Sequence, residues 1–413
     1  MFDTNKISPL AKGLGKSNAP DWDILAEDVS LPVAVLYQQR IENNLQWMQK
    51  FSNASNVKLA PHGKTTMTPE LFKQQMSSGA WAMTFATAHQ VSVAYQHGVK
   101  RIMMANQLVG KQNMQIIADL LSNKDFEFYC VVDSVDNVDQ LGAFFKNVNL
   151  DLNILLEIGV KGGRCGCRSN EQIEAVIQAI DNHENLLLSG VEFYEGVIHG
   201  DNAEKLIRNF LTSVIHTTNN LLSNNKFSTA KVILTGAGSA WYDVVSDVFT
   251  SAHLDDAIIP VIRPGCYIIH DTGIYQDAQS AVLQRSQIGC DLGGDLQSTL
   301  EVWAYVQSIP ESNLAVIGMG KRDVAFDDGM PTPELLFRPN SHSRKPSNVG
   351  SEWKITAVMD QHAFLKFPEG ADIKVGDMIA FSTSHPCLTF DKWRNVLMID
   401  HDYKVKNILE TCF

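Results

Sequence analysis

Long apolar runs are missing from this sequence, and so is any excess of positive charge. No run is long enough to cross a bilayer, and residues 1–20 contain no apolar region of the kind that a secretory signal needs. Basic side chains number 34 against 46 acidic ones, which gives a net charge of −12. These features predict a cytoplasmic protein with neither a membrane partner nor a nucleic-acid partner.

Cysteine is also scarce, and the seven cysteines are scattered along the chain. An odd, scattered set favours reduced thiols in a cytoplasmic enzyme over a disulfide framework. Low-complexity tracts and short sequence repeats are absent as well. What is present is an ordinary globular composition, 45% hydrophobic and 19% charged, over 413 residues. That length predicts two domains rather than one core.

The first of these domains has a repeating form. Short apolar runs alternate with amphipathic helical patterns such as 69–79, 170–183 and 203–222. Strands that alternate with helices predict a parallel sheet with right-handed crossovers, and eight of them fit a closed, TIM-like (β/α)8 barrel. The predicted strands lie at 57–60, 81–86, 101–105, 128–133, 153–159, 188–194, 231–236 and 258–265.

The pattern changes after about residue 275, where helical periodicity nearly vanishes. Turn signals now separate apolar runs, which predicts an antiparallel β domain. We therefore expect a barrel over 28–275 and a β domain over 276–413, with residues 1–27 packing on the latter. The run at 31–37 fits either domain. The strands predicted for the β domain lie at 281–288, 299–309, 313–320, 352–360, 362–367, 377–384 and 395–400.

A lysine stands where the first barrel strand ends, in the stretch LAPHGKTT (59–66). Active sites of such barrels lie at the carboxyl ends of the strands, so the ammonium of Lys64 would point into the mouth. A lysine in that position is suited to act as a nucleophile that forms a Schiff base. A surface lysine in a loop remains the alternative from spacing alone.

Two glycine-bearing loops follow the seventh and eighth predicted strands, LTGAGSAW (234–241) and RPGCY (263–267). Barrels often bind phosphate in these two loops, through backbone N–H groups. A lysine nucleophile beside a phosphate site indicates pyridoxal 5'-phosphate (PLP), although a lysine-dependent aldolase for sugar phosphates would use the same parts. The loop residues that we expect around the cofactor are Thr235, Gly236, Gly238, Ser239, Gly265, Cys266 and Tyr267.

Other candidates follow the fifth and sixth strands. Arg164, in EIGVKGGRCGCR, is flanked by small residues and can approach a ligand, whereas Cys165 and Cys167 are better read as packing residues than as a metal pair. Tyr194, in VEFYEGVIHG, would face the mouth and hydrogen-bond a pyridine nitrogen. His199 can line the pocket, but a loop histidine with its hydrogen bonds satisfied is at least as plausible.

The β domain contains its own candidate pair in FSTSHPCLTFDKWR (381–394). His385 and Cys387 are two residues apart, so on an extended chain their side chains face the same way. Imidazole and thiolate are typical zinc ligands. Two protein ligands leave positions open for water and substrate, as a catalytic metal requires. A buried cysteine next to a histidine in a turn is the alternative.

These motifs together resemble the fold-type III PLP family of D-serine dehydratases and D-threonine aldolases, which have an alanine-racemase-like barrel followed by a β domain. The resemblance rests on PHGKTT, GGRCG, FYEG, TGAGS, RPGCY and HPC. It implies a homodimer, Lys64 as the Schiff-base lysine, Arg164 and Tyr194 around the ring, residues 236–239 and 265–267 around the phosphate, and His385 and Cys387 as metal ligands.

The same resemblance favours one activity over its neighbours. The H-x-C motif resembles that of zinc-dependent dehydratases, whereas the aldolases usually carry H-x-D. Two departures affect the substrate: Lys64 is followed by Thr-Thr-Met where many members have Thr-His, and the spacing of 193–200 differs slightly from that of the aldolases. We expect dehydration of D-serine or D-threonine to a 2-oxo acid and ammonia, with Lys64 as base.

Four alternatives stay open. Retro-aldol cleavage would use His199 as base, and an amino-acid racemase would need a second acid/base and no metal. A PLP carrier and a sugar-phosphate aldolase rank below them.

Overall fold

The computed structural model describes residues 11–15, 21–343 and 345–413. Chain order begins with strand β1 (Val33–Tyr37) and helix α1 (Gln38–Ala54). Eight strands of one parallel sheet follow, and they coincide with the eight predicted runs. They are β2 (Lys58–Leu59), β3 (Met83–Phe85), β4 (Arg101–Gln107), β5 (Glu127–Val132), β6 (Leu152–Ile158), β7 (Leu186–Phe193), β8 (Val232–Gly236) and β9 (Ile258–Ile262).

One helix lies between each pair of consecutive strands, as the amphipathic patterns predict. Hydroxyl side chains cap the amino ends of several of them; Ser134, for example, accepts from the backbone N–H of Asn137. The helices are α2 (Pro69–Ser77), α3 (Ala88–Gln96), α4 (Lys111–Leu121), α5 (Val135–Asn147), α6 (Asn170–Asp181), α7 (Ala203–Ser223) and α8 (Tyr242–Ser251).

The two ends of the parallel sheet meet and close the barrel. The backbone N–H of Trp81 donates to the carbonyl of Leu59 at 2.7 Å, and that of Thr84 donates to Pro61 at 2.8 Å. Because every strand runs the same way, all their carboxyl ends open at one mouth. The apolar side chains that fill the barrel are Ala60, Ala82, Met103, Val131, Leu155, Ile233 and Val261.

The predicted strand at 281–288 is wrong, because this segment is helical. It belongs to α9 (Ile274–Arg285) and α10 (Gln287–Leu292). The Ser286 hydroxyl accepts from the Gly289 N–H at 3.1 Å and caps the second helix. Gln, Ala, Leu and Arg in this stretch are good helix formers, so local propensity prevails over the apolar run. The predicted domain limit at residue 275 falls inside α9.

The β domain is a ten-stranded sheet in which every pairing except that of β1 with β17 is antiparallel. A short helix, α11 (Cys387–Phe390), follows β16. Besides β1, the strands are β10 (Leu300–Glu311), β11 (Leu314–Ile317), β12 (Thr332–Phe337), β13 (Ser347–Asn348), β14 (Lys354–Val358), β15 (Ala363–Lys366), β16 (Met378–Ser382), β17 (Asn395–Ile399) and β18 (Val405–Glu410).

The run at 31–37, which the sequence leaves open, pairs in this second sheet. Strand β1 lies between β10 and β17, with Val35 opposite Glu301. The start of the barrel at residue 28 is therefore corrected, because the barrel strands begin with β2. Within the N-terminal segment, Trp22 and Ile24 pack into the core beside β1; residues 1–10 and 16–20 lie outside the described part of the chain.

No helix in the described ranges combines the length and the apolarity that a membrane crossing requires.

Candidate active site

The loops at the barrel mouth and one loop of the β domain enclose a cavity of about 250 Å³. Its walls come from both domains, because the loop after β16 lies over the carboxyl ends of the barrel strands. Most of the residues singled out in the sequence line it: Lys64, Arg164, Tyr194, Gly238, Ser239, Gly265, Cys266, His385 and Cys387.

Four predicted site residues are not brought into this cavity. His199 is exposed and does not line it, because Ile198 takes the inward position of that turn and packs in the core. Thr235 and Gly236 are buried within β8. Tyr267 is buried, and its hydroxyl accepts from Gln75 Nε2 at 3.2 Å. The geometry gives none of the four a contact with the cavity, so we withdraw their predicted site roles.

Lys64 reaches the cavity from a 3-10 turn, Gly63–Thr65, just past β2. The turn packs tightly on the barrel: a Cβ added at Gly63 would lie 2.6 Å from Cζ of Phe85. Glycine therefore permits the close approach that places the next residue at the mouth. The Lys64 side chain is exposed to the cavity rather than buried among apolar groups.

The loops after β8 and β9 are joined by the hydroxyl of Ser239. This oxygen accepts from the N–H groups of Gly265 and Cys266, at 3.2 and 3.1 Å. A hydroxyl can rotate and leave both donors to an anion such as a phosphate. The loop after β9 therefore offers the better anion site of the two.

The N–H groups of the loop after β8 already have a partner. The carboxylate of Glu195 accepts from Ala237 at 3.0 Å and from Gly238 at 2.8 Å. Glu195 is fully buried, and this burial raises the pKa of its carboxyl. The motif FYEG contains Glu195, but its role is not predictable from the sequence, because a contact across 42 residues leaves no local signal.

The cavity floor is built from buried charges that the sequence did not reveal. Arg263 forms a short ion pair with Glu192 and also donates to the carbonyl of Phe193 at 3.1 Å. Beside them, burial raises the pKa of Glu157 to about 8, with Glu192 adding to the effect. At neutral pH Glu157 is then largely protonated, so the ion pair carries the charge of the floor.

Several polar atoms of the floor are buried and have no hydrogen-bond partner in the part of the chain that the structure describes. They are Oε2 of Glu192, Nε of Arg263 and Nδ1 of His62. Burial lowers the pKa of His62 well below its usual value, and the nearby cations lower it further, so its ring is neutral. Unpartnered buried polar atoms at the edge of a cavity indicate a site built for a polar ligand.

Tyr194 and Arg164 form the side wall. The Arg164 guanidinium lies over the Tyr194 ring, 4.3 Å from its centroid. Burial raises the pKa of Tyr194, so the phenol keeps its proton and can donate a hydrogen bond. A Cβ at Gly238 would come within 3.1 Å of the same ring. These side chains fit a flat aromatic ligand beside the anion site and Lys64.

The β-domain wall brings His385 together with two acidic residues. Its Nδ1 lies 2.7 Å from Oδ2 of Asp327 and 3.2 Å from Oδ2 of Asp328. An acidic partner on one ring nitrogen leaves the other free to bind a metal. Cys387 lies in the same wall, and its Sγ is 3.7 Å from Sγ of Cys266. Nitrogen and sulfur donors of this kind fit a divalent metal such as zinc.

Two family models match this chain. The model described as "Alanine racemase, N-terminal domain" matches residues 37–221, and "Putative serine dehydratase domain" matches residues 299–399. A D-threonine aldolase of an Arthrobacter species is 22% identical over 390 residues, which is 92% of each protein.

Solved structures share the whole architecture. The D-threonine aldolase of Filomicrobium marinum superposes with a TM-score of 0.78 at 20% identity, covering 95% of this chain and 98% of the other. The D-threo-3-hydroxyaspartate dehydratase of Delftia sp. HT23 gives 0.73 at 17% identity, covering 94% and 99%. A dehydratase of that name has also been solved as a cysteine-to-alanine variant in a metal-free form.

The fold, the two family matches and the aligned relatives agree with the motifs found in the sequence. Together these findings support a fold-type III PLP enzyme of the D-serine dehydratase and D-threonine aldolase family.

Proposed function

We propose that this protein is a PLP- and metal-dependent lyase that dehydrates a D-3-hydroxy amino acid, D-serine or D-threonine, to a 2-oxo acid and ammonia. The observation that carries the proposal is one cavity lined by Lys64, by the anion site of Gly265 and Cys266, and by the His385–Cys387 pair. A carbonyl cofactor, a proton acceptor and a metal can therefore act on a single small substrate.

The cofactor would be held by four groups. Lys64 supplies the amine for its aldehyde, and the N–H groups of Gly265 and Cys266 supply donors for its phosphate once the Ser239 hydroxyl turns away. Arg164 and Tyr194 would flank its ring, with the protonated Tyr194 phenol available as a neutral donor. When bound, PLP withdraws electrons from the substrate Cα and so acidifies the Cα–H bond.

Lys64 then has a second task. With the cofactor bound, the Nζ of Lys64 would be placed to accept the Cα proton of the substrate, as a general base does. The buried Glu192–Arg263 ion pair lies beneath and gives the floor a fixed arrangement of charges.

His385 and Cys387 would hold a divalent metal, which we propose to be zinc, and Asp327 would keep the imidazole oriented through Nδ1. A metal held by these residues would supply Lewis-acid chemistry for the β-hydroxyl of the substrate. The site also requires the β-domain loop to stay over the barrel mouth. We propose a cytoplasmic homodimer.

Retro-aldol cleavage is the second candidate, since D-threonine aldolases align over nearly the whole chain. That reaction needs a base for the β-hydroxyl proton. His199 is exposed and outside the cavity. His62 is neutral and half-buried, and its buried Nδ1 has no hydrogen-bond partner among the described residues. His62 therefore replaces His199 as the candidate base of the alternative.

The products decide between the two. Purified protein is incubated with D-serine and with D-threonine, and pyruvate, 2-oxobutyrate, ammonia, glycine and acetaldehyde are assayed. We expect 2-oxo acid and ammonia in equal amounts, and their loss after chelation with recovery on adding zinc. Glycine and aldehyde as the main products would replace the dehydratase with the aldolase.

A further inference from the structure

Cys266 and Cys387 approach each other across the boundary between the two domains. Cys266 opens the 3-10 turn after β9, and Cys387 opens α11 after β16. Their Sγ atoms are 3.7 Å apart, and both residues line the cavity. Since no disulfide joins them, both sulfurs are available as ligands.

We propose that Cys266 is a further protein ligand of the metal held by Cys387 and His385, so that two thiolates bind the same ion. The inference rests on the metal site proposed above and adds one ligand to it. It assigns the side chain of Cys266 to the metal, while the backbone N–H of the same residue faces Ser239.

The distance between the two sulfurs suits a shared ion. Zinc binds thiolate sulfur at about 2.3 Å with tetrahedral angles, so two sulfurs on one zinc are about 3.8 Å apart. The observed 3.7 Å separation agrees with that value before any movement of either side chain.

Polar side chains lie near the Cys266 sulfur. Thr65 Oγ1 is 3.9 Å from Sγ, and Tyr275 lines the same cavity. Within the described residues, His385 and the two cysteines do not form a group of ligand atoms mutually within 4.8 Å. Metal binding therefore requires the imidazole to move toward the sulfurs, while Asp327 on Nδ1 limits how it can turn.

A third protein ligand changes the character of the ion. Two thiolates and one imidazole leave one open position, the arrangement typical of catalytic zinc. The two thiolates also neutralise the ion, so it polarises the substrate hydroxyl less than a zinc with one thiolate would. The metal would also link two parts of the fold. It would connect the loop after β9, which is the proposed phosphate site, to the β domain.

The test counts sulfur ligands in the zinc-loaded full-length protein by X-ray absorption spectroscopy. We expect two sulfurs in the wild type and in Cys290→Ser, an exposed cysteine outside the cavity. We expect one sulfur ligand in Cys266→Ser. Its zinc affinity should fall further than the loss of about 10–100-fold that follows removal of a residue which only hydrogen-bonds a metal ligand. Circular dichroism checks that the variant folds.

The wild-type spectrum decides the matter even if Cys266→Ser fails to fold. A single sulfur on a bound zinc would overturn the inference and leave the proposed metal site intact. A disulfide between the two cysteines in the zinc-loaded protein, seen as the loss of two hydrogen masses, would overturn it as well. Failure to bind any metal would instead refute the metal site itself.

Discussion

The two walls of the cavity are built differently. The barrel wall includes the cavity floor, where Glu192 and Arg263 are almost fully buried, with side chains 4% and 3% exposed. On the β-domain side, His385, Asp327 and Asp328 are 22%, 35% and 47% exposed. Charges in the first wall are fixed by burial and pairing, whereas those in the second are partly solvated. The barrel wall is thus organised before any ligand arrives, and a metal would complete the β-domain wall.

The first test concerns Lys64 at the barrel mouth, where we expect the largest effect on activity. Lys64→Ala removes the only base proposed for the Cα proton, so turnover of D-serine should fall by at least about 10²–10⁴-fold, the usual contribution of a general base. The measurement is kcat with added PLP. Lys161→Ala, an exposed lysine outside the cavity, serves as control and should keep its activity. Equal activity of the two variants would remove Lys64 from the mechanism.

The buried pair of the barrel wall gives the next effect. Glu192→Gln leaves Arg263 buried and unpaired, which should destabilise the fold by about 3–5 kcal/mol. Asp360→Asn breaks the exposed pair with Arg322 and should cost less than about 1 kcal/mol. Urea denaturation measures both. Similar losses in the two variants would mean that the barrel wall is no more fixed than the surface.

The β-domain wall is tested at Asp327. Asp327→Asn weakens the acceptor on His385 Nδ1, and we expect zinc affinity to fall about 10–100-fold. Asp328→Asn is the matched control, because Asp328 lies farther from the same nitrogen, at 3.2 Å against 2.7 Å. Competition with a coloured chelator measures the affinities. If Asp328→Asn loses more than Asp327→Asn, the orienting role belongs to the other carboxylate.

The smallest effect concerns pH. The pKa of Glu157 is raised from its ordinary 4.5 to about 8, chiefly by burial. Folding therefore favours the protonated carboxyl, so its contribution to stability is complete below pH 4.5 and is lost as the pH rises toward about 8. Glu157→Gln should flatten the fall in stability between these values. Thermal unfolding of the wild type and of Glu157→Gln is measured across that range. If Glu157 were ionised throughout, stability would change with pH at the same slope in both proteins.

The strands of the barrel were predictable because each is a short apolar run followed by an amphipathic helix. Lys64, Arg164, Tyr194 and the glycine loops followed from that order, since the carboxyl ends of parallel strands share one mouth. The helical segment at 281–288 was missed because apolar runs of that length suit both a strand and a helix.

The contacts that organise the site could not be read from the sequence. Glu195 holds residues 237 and 238, and Asp327 holds His385 across 58 positions. Contacts between residues so far apart in the sequence leave no periodic pattern and no short-range spacing from which they could be predicted. His199 was misplaced for a related reason: Ile198 turns into the core there and leaves the neighbouring histidine in solvent.

The central claim is a covalent bond between Lys64 and PLP in the cavity that the two walls share. Purified protein should absorb at about 420 nm, as a lysine-bound cofactor does. After borohydride reduction and proteolysis, mass spectrometry should find the cofactor on the peptide that contains Lys64. Finding it on another lysine, or on none in protein saturated with PLP, would contradict the account.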